Sequence, residues 1–219
     1  MSLGLVMAAH NEGGSIAAVL QGIHAAVPDL DELIVIDDGS TDDTAALAEA
    51  GGATVIRITP NGGKGAAMRR GIAASTSEWL IFLDADGQDD PAEIPTLLEH
   101  RDDDVGLING SRFQGDLRPG SIHPANRVGN VTLTKLFALL FGQAITDSQA
   151  GFRVLRGDLI RGIDLRCVEY EFETEVLARV LRSGYRVLEV PVTRYPRSAG
   201  RTDFRRVRNG LRILRTMLR

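Results

Sequence analysis

The stretch Trp79-Leu80-Ile81-Phe82-Leu83-Asp84-Ala85-Asp86 constrains this chain more than any other. A short continuous apolar run reads as a strand buried on both faces. The carboxylates begin where that strand would leave its sheet, and in open α/β sheets ligands bind at that end. Asp84 and Asp86 share strand parity, so both can point to one side, with Gln88, Asp89 and Asp90 close behind. Two clustered carboxylates suit a hard divalent cation, and magnesium typically completes its shell from substrate phosphates. The plainer reading is that Asp-x-Asp serves as turn and helix-capping residues.

The chain around this strand alternates. Strand-like runs at Leu3–Ala8, Glu32–Asp37, Thr54–Ile58, Trp79–Asp84 and Val105–Gly110 are separated by helical patterns near 13–26, 42–50, 64–75 and 91–100. Such alternation is the signature of a mostly parallel α/β sheet flanked by helices. Ser40 or Thr41 is placed to cap the second helix, and Pro91 suits the first turn of the fourth. The second half is less regular: a long helix over 124–141, a strand at Gly151–Leu155, a helix over 170–183 and a strand at Val187–Val192.

With 219 residues and 43% hydrophobic content, one sizeable core is expected. We expect a domain over 1–203, in two halves (1–112 and 113–203), followed by a basic amphipathic helix at 204–219. The lone cysteine, Cys167, excludes an internal disulfide and reads as a small buried hydrophobe in a reducing compartment. Nothing before the first strand resembles a signal peptide, and the longest apolar stretch, Leu136 to Gly142, is far short of a membrane span. A cytoplasmic protein, soluble or peripheral on the membrane face, is expected, with no nucleic acid partner.

Charge is segregated. Residues 194–219 hold nine arginines against one aspartate, net +8, whereas the rest holds sixteen basic and twenty-eight acidic residues, net −12. The tail therefore suits an anionic partner. Val207, Leu211, Leu214 and Leu218 fall on one helical face, with Arg208, Arg212, Arg215 and Arg219 beside it. That face either lies on anionic lipid or docks on the domain, since both uses share one pattern. The apolar residues of 124–141 carry the same choice between sheltering a lipid tail and filling the core.

Three more clusters carry chemistry. Ile34-Val35-Ile36 ends in Asp37-Asp38-Gly39-Ser40-Thr41, and a carboxylate there either accepts from a base or ribose or makes a turn. Asn61-Gly62-Gly63-Lys64-Gly65 opens a helix, where glycines let a backbone approach phosphate, although the spacing is not that of a P-loop. Arginines Arg112, Arg127, Arg153, Arg197 and Arg201 populate the second half, and guanidinium forks match phosphate oxygens.

Together the segments AAHNEGGSI (8–16), VIDDGSTDDT (35–44), NGGKGAAMRRGI (61–72), FLDADGQDDPAEIP (82–95), GSR (110–112), DSQAGFRVL (147–155), YEFETEVL (170–177) and the EVPV…R…GR run (189–201) resemble glycosyltransferase family 2, which has the GT-A fold. The nearest likeness is to its dolichol-phosphate mannosyltransferase and polyprenyl-phosphate glycosyltransferase branch. The resemblance implies that Ala9, Asn11, Glu12, Asp38, Lys64, Asp84 and Ala85 line a pocket for a UDP- or GDP-hexose. Asp84, Asp86 and Gln88 would hold Mg²⁺ or Mn²⁺, and Arg112, Arg127, Arg197 and Arg201 would grip phosphate, including that of a polyprenyl phosphate acceptor. The implied catalytic set is Asp86, Arg112, Arg127 and Asp147, the last a base candidate should the acceptor be an alcohol. The family usually shows Gly-x-Ser-Lys where this chain has Gly200-Arg201-Thr202-Asp203. Two further readings stay open, a soluble acceptor and a non-catalytic nucleotide-sugar-binding subunit. A nucleotidyltransferase would carry its glycine-rich loop near residue 8.

Overall fold

The structure, a computed structural model, describes residues 1–197 and 206–218. Seven strands form one sheet in the order β3-β2-β1-β4-β6-β5-β7. They are β1 (Leu3–Ala9), β2 (Glu32–Asp37), β3 (Thr54–Arg57), β4 (Trp79–Phe82), β5 (Val105–Ser111), β6 (Arg153–Arg156) and β7 (Arg186–Pro191). Six run parallel; β6 alone is antiparallel to both β4 and β5. Its antiparallel sense was not legible from its short apolar run.

The helices are α1 (Ile16–Ala26), α2 (Thr44–Ala50), α3 (Lys64–Ala74), α4 (Ile94–Leu98), α5 (Pro124–Phe141), α6 (Gly157–Gly162), α7 (Phe172–Arg182) and α8 (Arg206–Met217). They cover both faces of the sheet, which is why β1 and β4 are apolar throughout. Leu3, Leu5 and Met7 of β1 pack with Ile16, Leu20 and Ile23 of α1 and with Ile94 and Leu97 of α4. Val6, Leu80 and Phe82 face the other way, against Met68 and Ile72 of α3 and Phe172, Val176 and Leu177 of α7. Gly71 is required there, because a Cβ would stand 2.3 Å from a methyl of Val6.

Three local expectations are corrected. Strand β4 stops at Phe82, so Asp84 and Asp86 sit in the turn beyond it and strand parity does not orient them. Ser40 and Thr41 do not cap α2, whose boundary residue is Asp43; they pair instead with Asn11. Pro91 opens a 3₁₀ turn, Pro91–Glu93, ahead of α4.

Helix α8 packs against α5 and α7. It docks through Asn209, Ile213, Thr216 and Met217, all under a tenth exposed, and leaves Leu211 and Leu218 at 55% and 75% exposure. The docked face is thus not the leucine stripe read from spacing. Arg201 and Arg219 lie outside the described residues.

Candidate active site

Parallel strands bring β1, β2, β4, β5 and β7 to one rim by their C-terminal ends, and antiparallel β6 starts at that rim, since Phe82 pairs with Arg153. A cavity of about 480 Å³ opens there. From the expected set it is lined by Ala9, Glu12, Asp38, Lys64, Asp84, Ala85, Asp86, Gln88, Arg112 and Arg197. Arg127 stays exposed on α5 and does not line the cavity, whereas its neighbours Asn126 and Asn130 do. Asn11 is likewise outside: at φ 55 it bridges the β1 end to Thr41, donating its own N–H to Ser40 Oγ at 2.9 Å.

Asp38 works on the glycine turn. Its two oxygens accept the N–H groups of Gly62 and Gly63 at 2.7 and 2.8 Å, and Gly65 N–H donates to Val168 O at 3.0 Å. Those N–H groups are therefore not directed at a phosphate. Gly63 lies at φ +91, and a Cβ there would fall 2.4 Å from Val168 O. The glycines answer to close chain approach.

Behind this turn Lys64, at the start of α3, lies 2.7 Å from both Asp84 Oδ1 and Glu173 Oε1. Burial pulls the lysine down, but the two carboxylates outweigh it and raise it above its ordinary value. For Asp84, burial acts upward, yet Lys64 and Arg194 bring it down to about 2. Its Oδ2 faces Gly151, where a Cβ would stand 2.7 Å away, so the glycine of the 147–155 segment makes room for this carboxylate.

The segment after β7 crosses the rim and carries two arginines. Arg194, buried, pairs with Asp89 at 2.7 Å and lies 3.6 Å from Asp86. Arg197 bridges Glu12 Oε1 at 2.7 Å and Asp86 Oδ2 at 2.9 Å. Burial outweighs Arg197 and raises Glu12, and burial likewise raises Asp89 despite Arg194. The Gln88 amide is a clamp: Nε2 donates to Ser121 O at 3.1 Å and Tyr195 O at 2.9 Å, while Oε1 accepts from Arg194 at 2.9 Å. Asp84 and Asp86 are thus the side chains this arrangement offers a cation. The pair fits a divalent ion that takes few carboxylates and completes its shell from a ligand, and no group of three or more His, Cys, Asp or Glu is placed to hold a metal among the described residues.

Across the cavity, Arg112 forms a fork with Asp147, Nε to Oδ2 at 2.6 Å and Nη2 to Oδ1 at 2.8 Å. Asp147 is fully buried, and Glu189 holds its backbone N–H at 3.1 Å. With both oxygens engaged and no access to the cavity, Asp147 is built to aim Arg112 and is not suited to be a general base. Arg153 is also enclosed, donating to Glu173 O at 2.6 Å, and burial lowers it to about 10. It holds α7 and does not reach the cavity.

Sequence reasoning missed Arg194, Glu173 and Glu169 as site residues, together with His10, Gln149 and Tyr170. Arg194 lies inside the quoted 189–201 run, where the resemblance gave a role to Arg197 and Arg201 alone. Glu173 had a signal, since its α7 motif belongs to the quoted resemblance, but its pairing across the sheet rim does not follow from spacing. Ser121 Oγ and Asn126 Oδ1 are buried without a hydrogen-bond partner among the described residues.

A parallel-rich α/β sheet with an aspartate pair at the strand-end rim defines a GT-A glycosyltransferase class. A profile described as glycosyl transferase family 2 matches residues 5–163, and the chain belongs to that family. It is 32% identical to the low-salt glycan biosynthesis hexosyltransferase Agl6 of Haloferax volcanii over 99% of this chain and 53% of that protein. It is 31% identical to the polyprenol monophosphomannose synthase of Mycolicibacterium smegmatis, over 90% of this chain and 78% of that protein. An undecaprenyl-phosphate mannosyltransferase of Micrococcus luteus is 31% identical, over 89% and 84%. These relatives support the polyprenyl-phosphate branch, although the chain spans little more than half the length of Agl6. Among solved structures, glucosyl-3-phosphoglycerate synthase from Mycobacterium tuberculosis with Mn²⁺, UDP and glucosyl-3-phosphoglycerate superposes with a TM-score of 0.78 at 24% identity. It covers 99% of this chain and 78% of that one, a likeness of fold.

Proposed function

We propose that this glycosyltransferase moves a hexose, with inversion, from a UDP- or GDP-hexose to the phosphate of a polyprenyl phosphate at a membrane surface. One observation carries the reading. Each carboxylate lining the cavity is already engaged among the described residues: Glu12 and Asp86 by Arg197, Asp84 and Glu173 by Lys64, Glu169 by Arg208 and Arg212, and Asp38 by two backbone N–H groups. An alcohol acceptor needs a free general base. A phosphate monoester does not, because its second pKa lies near 6 and it is already anionic at neutral pH. It needs guanidinium groups, and Arg112, Arg194 and Arg197 line the same cavity.

In this reading Asp84 and Asp86 hold Mg²⁺ or Mn²⁺, which supplies positive charge to the departing diphosphate. Arg112, aimed by Asp147, meets the acceptor phosphate. Arg197, held by both Glu12 and Asp86 at the cavity, is the guanidinium that would stand between a cation on Asp86 and a phosphate. Lys64 and Glu173 fix Asp84 from behind. The relatives named for polyprenol and undecaprenyl phosphate support the acceptor class. No helix among the described residues is long and apolar enough to cross a membrane.

A second reading keeps the donor and exchanges the lipid for a soluble phosphorylated acceptor. The fold neighbour solved with phosphoglyceric acid favours it. Incubation with Mg²⁺ or Mn²⁺, labelled UDP-glucose, UDP-N-acetylglucosamine or GDP-mannose, and a polyprenyl phosphate separates the two. Metal-dependent label in the organic phase is expected. Label found only in a water-soluble phosphorylated product would overturn the lipid reading.

A further inference from the structure

A second hollow, about 350 Å³, lies away from the rim between α7, the 166–167 segment and the end of α8. Glu175, Arg179 and Arg182 recur at helical spacing on one side of α7, and Arg166, Cys167, Ala178 and Thr216 complete the lining. Three guanidinium groups thus face one carboxylate. That carboxylate is held by backbone, since Glu175 accepts the N–H of Arg166 at 3.0 Å and of Cys167 at 2.8 Å. Burial pushes the Cys167 thiol up to about 12, so it adds no negative charge.

The arginines differ in their partners. Arg166 pairs with exposed Asp164 at 2.5 Å. Among the described residues Arg182 meets neutral groups, Met217 O at 3.5 Å and the ring of Phe141 at 5.0 Å. Arg179 is half-buried with no side-chain hydrogen bond or ion pair among the described residues. Arg179 and Arg182, which line one hollow and have no carboxylate partner of their own among the described residues, make a fork for phosphate oxygens.

The surroundings decide which phosphate. Leu140, 46% exposed, adjoins Phe141, and Leu139 beside it is 80% exposed. Leu218, 75% exposed, lies two residues from Thr216. Phe141 and Met217 O both meet Arg182, so the ends of α5 and α8, which carry these leucines and the exposed Arg215, adjoin the cationic hollow. A free phosphate has no use for exposed leucines. A headgroup that leads into acyl chains meets both.

We propose that this hollow binds the phosphate of an anionic phospholipid and seats the protein on the membrane by the α5–α7–α8 corner. The inference rests on the membrane reading above and adds a site separate from the transfer cavity. Segment 166–170 joins the two, since Arg166 and Cys167 line the hollow while Glu169 and Tyr170 line the cavity.

The test is flotation of the full chain with phosphatidylglycerol–phosphatidylcholine vesicles and with phosphatidylcholine alone. Binding to the anionic vesicles is expected to fall about tenfold in the Arg179→Gln/Arg182→Gln double variant, with Arg179→Lys intermediate. Leu139→Glu and Leu218→Glu, at exposed positions that leave the fold intact, are expected to weaken it as well. Unchanged binding in the glutamine and glutamate variants overturns the proposal. A rise in Tm with inorganic phosphate that needs Arg179, without vesicle binding, overturns the lipid source. Transfer to polyprenyl phosphate in detergent micelles is read separately and is expected to be unchanged in Arg179→Gln. Loss of wild-type transfer there would sink the function proposed above while leaving the vesicle result to stand.

Discussion

The two rims of the sheet both gather carboxylates, and they treat them differently. At the N-terminal rim, Glu32 opens β2 and is met by neutral donors: the hydroxyls of Ser75, Thr76 and Ser77 and the N–H of Thr76. All lie in the short link between α3 and β4. At the C-terminal rim, Asp84, Asp86, Asp89 and Glu12 are met by cations from distant segments, Lys64, Arg194 and Arg197. Neutral, local donors make a joint that no ligand can improve. Charged partners on a crossing segment can be exchanged for a metal or a phosphate, which suits the second rim to the transfer proposed above.

The sharpest break of that contrast is Asp84→Asn. Transfer is expected to fall by at least about 10²–10³-fold, with Tm changed by a few degrees at most, as read by organic-phase label and thermal melting. Normal turnover would remove Asp84 from the cation site. Asp147→Asn probes a buried charge pair on the acceptor side. Leaving Arg112 without its carboxylate is expected to destabilise by about 3–5 kcal/mol, and urea unfolding measures it. A general-base role would instead show as lost turnover at unchanged stability.

At the opposite rim the effect is on stability alone. Burial acts to raise Glu32, but its hydroxyl and N–H partners lower it from 4.5 to about 2. A depressed carboxylate stabilises above its ordinary value and loses that contribution as pH falls toward about 2. Glu32 is only half-buried and water screens it, so Glu32→Gln is expected to be less stable by about 1 kcal/mol at most at neutral pH, to converge with the parent protein near pH 2, and to keep its turnover. A turnover loss matching that of Asp84→Asn would erase the distinction between the rims. The smallest effect belongs to Arg127→Gln, on the exposed face of α5. Its KM for acceptor is expected to move by about twofold or less, and a tenfold rise would bring Arg127 back to the phosphate.

Much of this architecture was readable because periodicity and turn chemistry are local. The five strands and four helices of the first half lie close to the runs that predicted them, and the Asp84–Asp86 turn follows its buried strand. What escaped depends on contacts far apart in the chain. Asp38 was readable as a strand-end carboxylate, but its hold on Gly62 and Gly63 requires the 61–63 turn to fold over it. Gln88 is a clamp only because Ser121 and Tyr195 arrive beside it. Arg127 and Arg112 look alike in sequence, and only the buried carboxylate of Asp147 separates the one that is aimed. On α8 two apolar stripes compete, and the core selects Ile213 and Met217 over the leucines.

The antiparallel placement of β6 also has a consequence for synthesis. Strand β5 is complete at Ser111, yet its sheet neighbours are β6 and β7, and β6 begins only at Arg153. At roughly 5–20 residues per second, the ribosome takes roughly 2–8 s to deliver that partner. During that interval an apolar strand and the open edge of β4 are both unpaired, a template for association with other chains. The nascent protein is most vulnerable between those two strands, and a slow codon cluster over residues 112–152 would be expected to lower soluble yield without altering a single side chain.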